Sequence, residues 1–81
     1  MPAIAKLTDF LDEVYRSTRN DRAVFRPIPN YHHVHGDLES KVEQLLDLIL
    51  TRPEAIDRTE VRRKLVQIAA TAARAVHDLD L

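Results

Sequence analysis

Apolar residues return at steps of three and four along three stretches of this chain, and the intervals between them are polar or carry proline. In the last stretch Val61, Leu65, Ile68, Ala69, Ala72, Ala73, Val76 and Leu79 keep to one side of a 3.6-residue period. Neither glycine nor proline interrupts it, so a core-facing amphipathic helix over 57–79 is predicted. Asp57 with Glu60 three residues on makes a capping-box-like start, since Asp accepts orphan amide bonds and both acids suit the positive helix end. Ala69, Ala70, Ala72, Ala73 and Ala75 favour helix and let a neighbouring backbone come close. This is the stretch around which the rest is expected to pack.

The first stretch places Ile4, Leu7, Leu11, Val14 and Tyr15 at helical spacing, with Phe10 broadening the stripe and Pro2 suited to a first turn. A helix over 3–18 is predicted. In the middle stretch Leu38, Val42, Leu45, Leu46 and Ile49 share a side, and Leu48 and Leu50 widen it, giving a helix over 38–51 behind Asp37 as N-cap. Residues 19–36 lose the period and hold Pro27, Pro29, Asn30 and Gly36. The prolines bias Arg26 and Ile28 to extended backbone, so an irregular loop is expected there. Pro53 breaks the second helix, and the short link to Asp57 makes helices two and three an antiparallel hairpin.

The expected fold is therefore all-α, a three-helix protomer forming one domain over 1–81. Helices this apolar expose more than an 81-residue protomer can cover alone. A homodimer completing a larger bundle is expected, with an interface built from Leu45, Leu46, Leu48, Ile49, Leu50, Ala69, Ala72, Ala73 and Val76.

Composition narrows the class without naming a chemistry. One glycine, two Phe, two Tyr and no Trp fit helices better than a turn-rich β fold. The absence of cysteine removes disulfides and thiolate metal sites and is compatible with a reducing cytoplasm. The N-terminus lacks the apolar core of a signal peptide, and no apolar run approaches membrane-spanning length. A net charge of −1 argues against general nucleic-acid binding driven by overall charge.

Three clusters could carry chemistry. His32, His33, His35 and Asp37 include the string His-x-His-x-Asp used by metallo-β-lactamase-like enzymes, but this chain has neither the length nor the strands that motif needs. A simpler imidazole site for zinc or nickel competes there with a polar loop leading into a cap. Glu39, Glu43 and Asp47 run along one side of the second helix, and Asp57 and Glu60 open the third near the Asp47 end. Facing carboxylates of this kind hold magnesium or manganese in helical bundles, whereas capping and solvation account for the same acids without metal. Arg16, Arg19, Arg22 and Arg26 gather at the end of the first helix, and Arg62, Arg63 and Lys64 on the third. Guanidinium forks match phosphate oxygens, while cations near a helix end are also favoured by its dipole.

The third helix also resembles a known family. Lys64-Leu65-Val66-Gln67-Ile68-Ala69-Ala70-Thr71-Ala72, followed by Ala75-Val76-His77-Asp78-Leu79-Asp80, is similar to the last helix of short MazG-like proteins, which reads E-L-V-Q-V-A-A-x-A before an acidic-apolar tail. These belong to the all-α nucleoside-triphosphate pyrophosphohydrolases, and many short members are carried by phages. Glu13-Val14 with Asp21 and Phe25 is loosely similar to their first helix. The resemblance implies a helical dimer or tetramer and a magnesium site made by E-E-x-x-E on one helix and E-x-x-D on the next. Here Glu39-Ser40-Lys41-Val42-Glu43 keeps two acids of the first group, and Lys64 and Gln67 stand at the acidic positions of the second. An ammonium at a ligand position would repel Mg²⁺.

The expected function is accordingly non-catalytic, the binding of a nucleotide or a protein partner, with no cofactor required. An active pyrophosphohydrolase using Mg²⁺ at Glu39, Glu43, Asp47, Asp57 and Glu60 is the alternative. A small phage-type regulatory or inhibitor protein acting through protein contacts is another.

Overall fold

A computed structural model describes the backbone of residues 2–50 and 53–81 and the side chains of 5–50 and 54–81. Among these residues are three α-helices, α1 (Pro2–Val24), α2 (Tyr31–Leu50) and α3 (Arg58–Asp78), with a 3-10 turn at Pro53–Ala55 before α3. There is no strand among the described residues. The all-α expectation with three helices is met, and α3 is the hub: α1 packs on one flank and α2 on the other.

The directions follow from the contacts. Glu13 meets Arg62, and the Arg26 carbonyl accepts from Arg74, so α1 and the residues after it ascend alongside α3. Gln44 meets Lys64, while His33 and Asp37 share a groove with Arg74, so α2 runs antiparallel to α3. The six residues between α1 and α2 thus cross over the C-terminal end of α3.

Two boundaries differ from the expected ones. Helix one continues past residue 18 to Val24, and helix two starts at Tyr31 rather than at residue 38, so the irregular segment shrinks from 19–36 to 25–30. The residues from Arg19 to Ala23 contain no breaker, and the helix stops only where Pro27 makes helical backbone unfavourable for Arg26. The N-cap of α2 is Asn30 and not Asp37: Asn30 Oδ1 accepts from the His33 amide at 2.8 Å, and its carbonyl accepts from Val34 at 3.3 Å. The three histidines therefore lie in the opening turns of α2. The predicted end of helix two at Thr51 falls outside the described residues.

Helix α3 keeps nearly the expected span. Asp57 is its N-cap, with Oδ1 accepting from Thr59 at 2.9 Å and Glu60 at 3.2 Å. Glu60 does not close a reciprocal box but pairs with Arg63 at 2.6 Å. At the far end Asp80 N–H reaches the His77 carbonyl and Leu81 N–H the Val76 carbonyl, a Schellman turn with Asp80 in the left-handed region at φ 55°.

The core lies along the inner side of α3. Val66, Ala70, Thr71, Arg74 and Ala75 are its buried residues. Thr71 would be an unpaired hydroxyl there, but its Oγ1 donates to the Gln67 carbonyl at 2.9 Å. Across from them α1 offers Phe10, Val14 and Thr18, and α2 offers Val34, Leu38, Lys41, Leu45 and Leu48, all half-buried. Ile28, only 2% exposed, plugs the top from the crossing segment.

Candidate functional site

At the N-terminal half of α3 the side chain of Lys64 spans the seam to α2. Its Nζ donates to Gln44 Oε1 at 2.6 Å and to Gln67 Oε1 at 3.0 Å. Asp47, Leu48 and Glu60 line the same shallow hollow. Three neighbouring side chains thus supply an ammonium and two neutral amide oxygens in the seam, a cation held by protein rather than a place for one.

Of the carboxylates singled out from the sequence, Asp47 and Glu60 reach this hollow and Glu39, Glu43 and Asp57 stand apart from it. At 100° per residue the α3-facing side of α2 is centred on Val34, Leu38, Lys41 and Leu45, which puts Glu43 opposite and Glu39 within about 40° of that. Both are exposed. Asp57 is engaged in its cap and Glu60 with Arg63. Among the described residues no group of three or more His, Cys, Asp or Glu side chains comes together as a metal ion would need. The histidines pair within α2 instead: His33 Nε2 lies 3.6 Å from Asp37, and His35 Nδ1 lies 3.6 Å from Glu39.

The arginines of the first helix occupy separate surroundings. Arg16 pairs with Asp12 at 2.7 Å, Arg19 is exposed, and Arg22 borders a small hollow with His77 and Asp78. Arg26 borders a larger groove of about 570 Å³ at the crossing segment. Arg62 is spoken for, since it pairs with Glu13 and lies over the Phe10 ring at 5.9 Å.

Of the apolar positions expected at an interface, Leu45 and Leu48 face α3 and are half-buried, as are Ala69 and Ala73. Leu46, Ile49, Leu50 and Val76 remain 50%, 49%, 73% and 53% exposed, and Ala72 is also open. The helical period makes these part of something wider. Leu7 and Leu11 flank the packed side of α1, Val42, Leu46 and Ile49 flank that of α2, and Leu65, Ala69, Ala72 and Val76 run down α3. Taking α1 parallel and α2 antiparallel to α3, all three stripes turn to the same side of the molecule.

Sequence reasoning missed Arg74, Lys41 and Gln44. Arg74 is 7% exposed, its guanidinium lies 5.6 Å from the Phe25 ring, and Nη2 donates to the Arg26 carbonyl at 3.3 Å. One carboxyl is displaced by its surroundings: Asp78 is held below the usual carboxylate range. The main cause is the Ile28 amide donating to it at 2.9 Å, with His77 and Arg74 assisting against the opposing effect of burial. The signal for Arg74 was available, since a basic residue breaks the alanine run of α3 on its inner side.

Compared with protein-family models, curated proteins and solved structures, the chain finds no match in any of the three.

Proposed function

We propose that this chain is a MazG-like helical module that works by binding, with an internal ammonium where a catalytic relative would seat its metal. The observation that carries this reading is Lys64 between Gln44 and Gln67. A divalent cation placed there would meet a fixed positive charge and two neutral oxygens. The acids on the hollow's walls are Asp47 and the Arg63-paired Glu60. Magnesium binding is built on carboxylates and water without an ammonium among them. The placement of Glu39 and Glu43 on the outer side of α2 supports the same conclusion, because neither acid can share an ion with α3.

What the module binds first is a second copy of itself. A compact monomer of this mass exposes about 5,000 Å², and the protomer exposes 6356 Å². The difference is larger than the roughly 800 Å² that each partner contributes to an ordinary stable complex. Its radius of gyration, 14.0 Å, likewise exceeds the about 12 Å expected of a compact domain this long. The side where the three apolar stripes meet is the face to be covered, two such faces being brought together by a twofold axis.

The catalytic question is decided by incubating the protein with nucleoside triphosphates, with and without Mg²⁺ or Mn²⁺, and measuring pyrophosphate. No release is expected with either ion. Metal-dependent release that disappears in Glu39→Gln or Glu43→Gln would overturn the binding-only reading in favour of a pyrophosphohydrolase.

A further inference from the structure

The groove beneath the crossing segment contains a cation that the fold leaves incompletely used. Arg74 is more than nine-tenths buried, and its Nε has no hydrogen-bond partner. A guanidinium offers five donors in a fixed fork, and the hydrogen bond it makes here goes to the Arg26 carbonyl, a neutral acceptor. Buried guanidinium groups ordinarily meet a carboxylate or another oxyanion, because desolvation is otherwise uncompensated.

The walls explain what would complete it. Arg26 and Lys41 join Arg74 on the lining, with His33 and Asp37 beside them. Asp37 sits 3.6 Å from His33, and Asp78 is bound to the Ile28 amide, so each acid has a local partner. Counting three cations against these two acids leaves a positive groove. Phe25, Pro27 and Pro29 supply an apolar wall next to those charges. At about 570 Å³ the groove has the size of a small-molecule site.

We propose that this groove binds a small phosphomonoester, its phosphate on Arg74, Lys41 and Arg26 and its organic part against Phe25 and the two prolines. The phosphate gives the buried fork a hydrogen-bonded oxyanion, where the protein supplies the Arg26 carbonyl, and Lys41 and Arg26 close on it from α2 and the crossing segment. The site stands on this geometry alone and is independent of the MazG-like reading.

The test follows the Arg74 Nε–H resonance of the full chain by nuclear magnetic resonance at constant ionic strength. Inorganic phosphate should shift it saturably, and phenyl phosphate should bind more tightly than inorganic phosphate. Lys41→Gln should weaken both by about tenfold, the equivalent of one charge-assisted hydrogen bond. Arg63→Gln, whose side chain pairs with Glu60, should leave both unchanged. Arg74→Lys is a supporting arm in which circular dichroism checks that the helices persist. A shift reproduced by chloride, an affinity indifferent to Lys41→Gln, or benzoate binding as tightly as phenyl phosphate would each overturn the assignment.

Discussion

Two single residues show how local chemistry sets stability here. Gly36 lies inside α2 with nothing within 4 Å of the position a Cβ would take, and no glycine has positive φ. Its helical backbone carries the entropy cost of glycine with no steric return. Gly36→Ala should therefore stabilise the protein by about 0.5–1 kcal/mol in denaturant unfolding. Asp78 has the opposite character, a side chain whose charge is used. Its folded pKa is depressed, so its contribution is present above the unfolded carboxylate range, near 4, and is lost as pH falls through the folded value. The acid limb of the stability profile should flatten in Asp78→Asn, which can still accept from Ile28. An unchanged acid limb would show that the charge of Asp78 plays no part.

The helices differ in how much of each could be read from the chain. Helix α3 was legible because its period, its alanines and its cap at Asp57 agree, and Asp57→Ala should cost about 1 kcal/mol in thermal or denaturant melts. The neighbouring ends were not. Polar residues from Arg19 to Arg22 continue α1 without giving an apolar period, so no hydrophobic stripe marks that turn although it still runs beside α3. The opening of α2 was obscured by its histidines and Gly36, which resemble loop composition, while the Asn30 side chain supplies a start signal seven residues before the expected one. Asn30→Ala should unravel the first turn of α2 at a cost of about 1 kcal/mol and loosen His33 with it, visible as faster amide exchange at residues 32–34. The candidate site was less legible still. Spacing along one helix puts Glu39 and Glu43 on one side, but only the rotation of α2 against α3 decides that Lys41 faces inward, that Gln44 stands at the seam and that those acids face outward.

For the whole molecule the uncovered apolar side has a direct readout. The proposed pairing predicts a dimer mass by light scattering at micromolar concentration. Leu46→Glu should give a monomer with unchanged helix content, since this side chain is half exposed within the protomer. Losing its burial and desolvating a carboxylate should weaken association by about 2 kcal/mol per subunit. A wild-type monomer would remove the pairing while leaving the protomer fold untouched.

The central position of α3, reached from both sides, also orders events in time. Lys64 meets Gln44 across 20 residues of chain, whereas Arg62 meets Glu13 across 49. Closing the longer loop costs roughly 0.8 kcal/mol more in chain entropy. The α2–α3 hairpin is thus expected to form earlier, with α1 docking onto it afterwards. If the reverse step follows the same order, α1 swings off its flank while the hairpin survives, and amide exchange should be faster in α1 than along the α2–α3 seam.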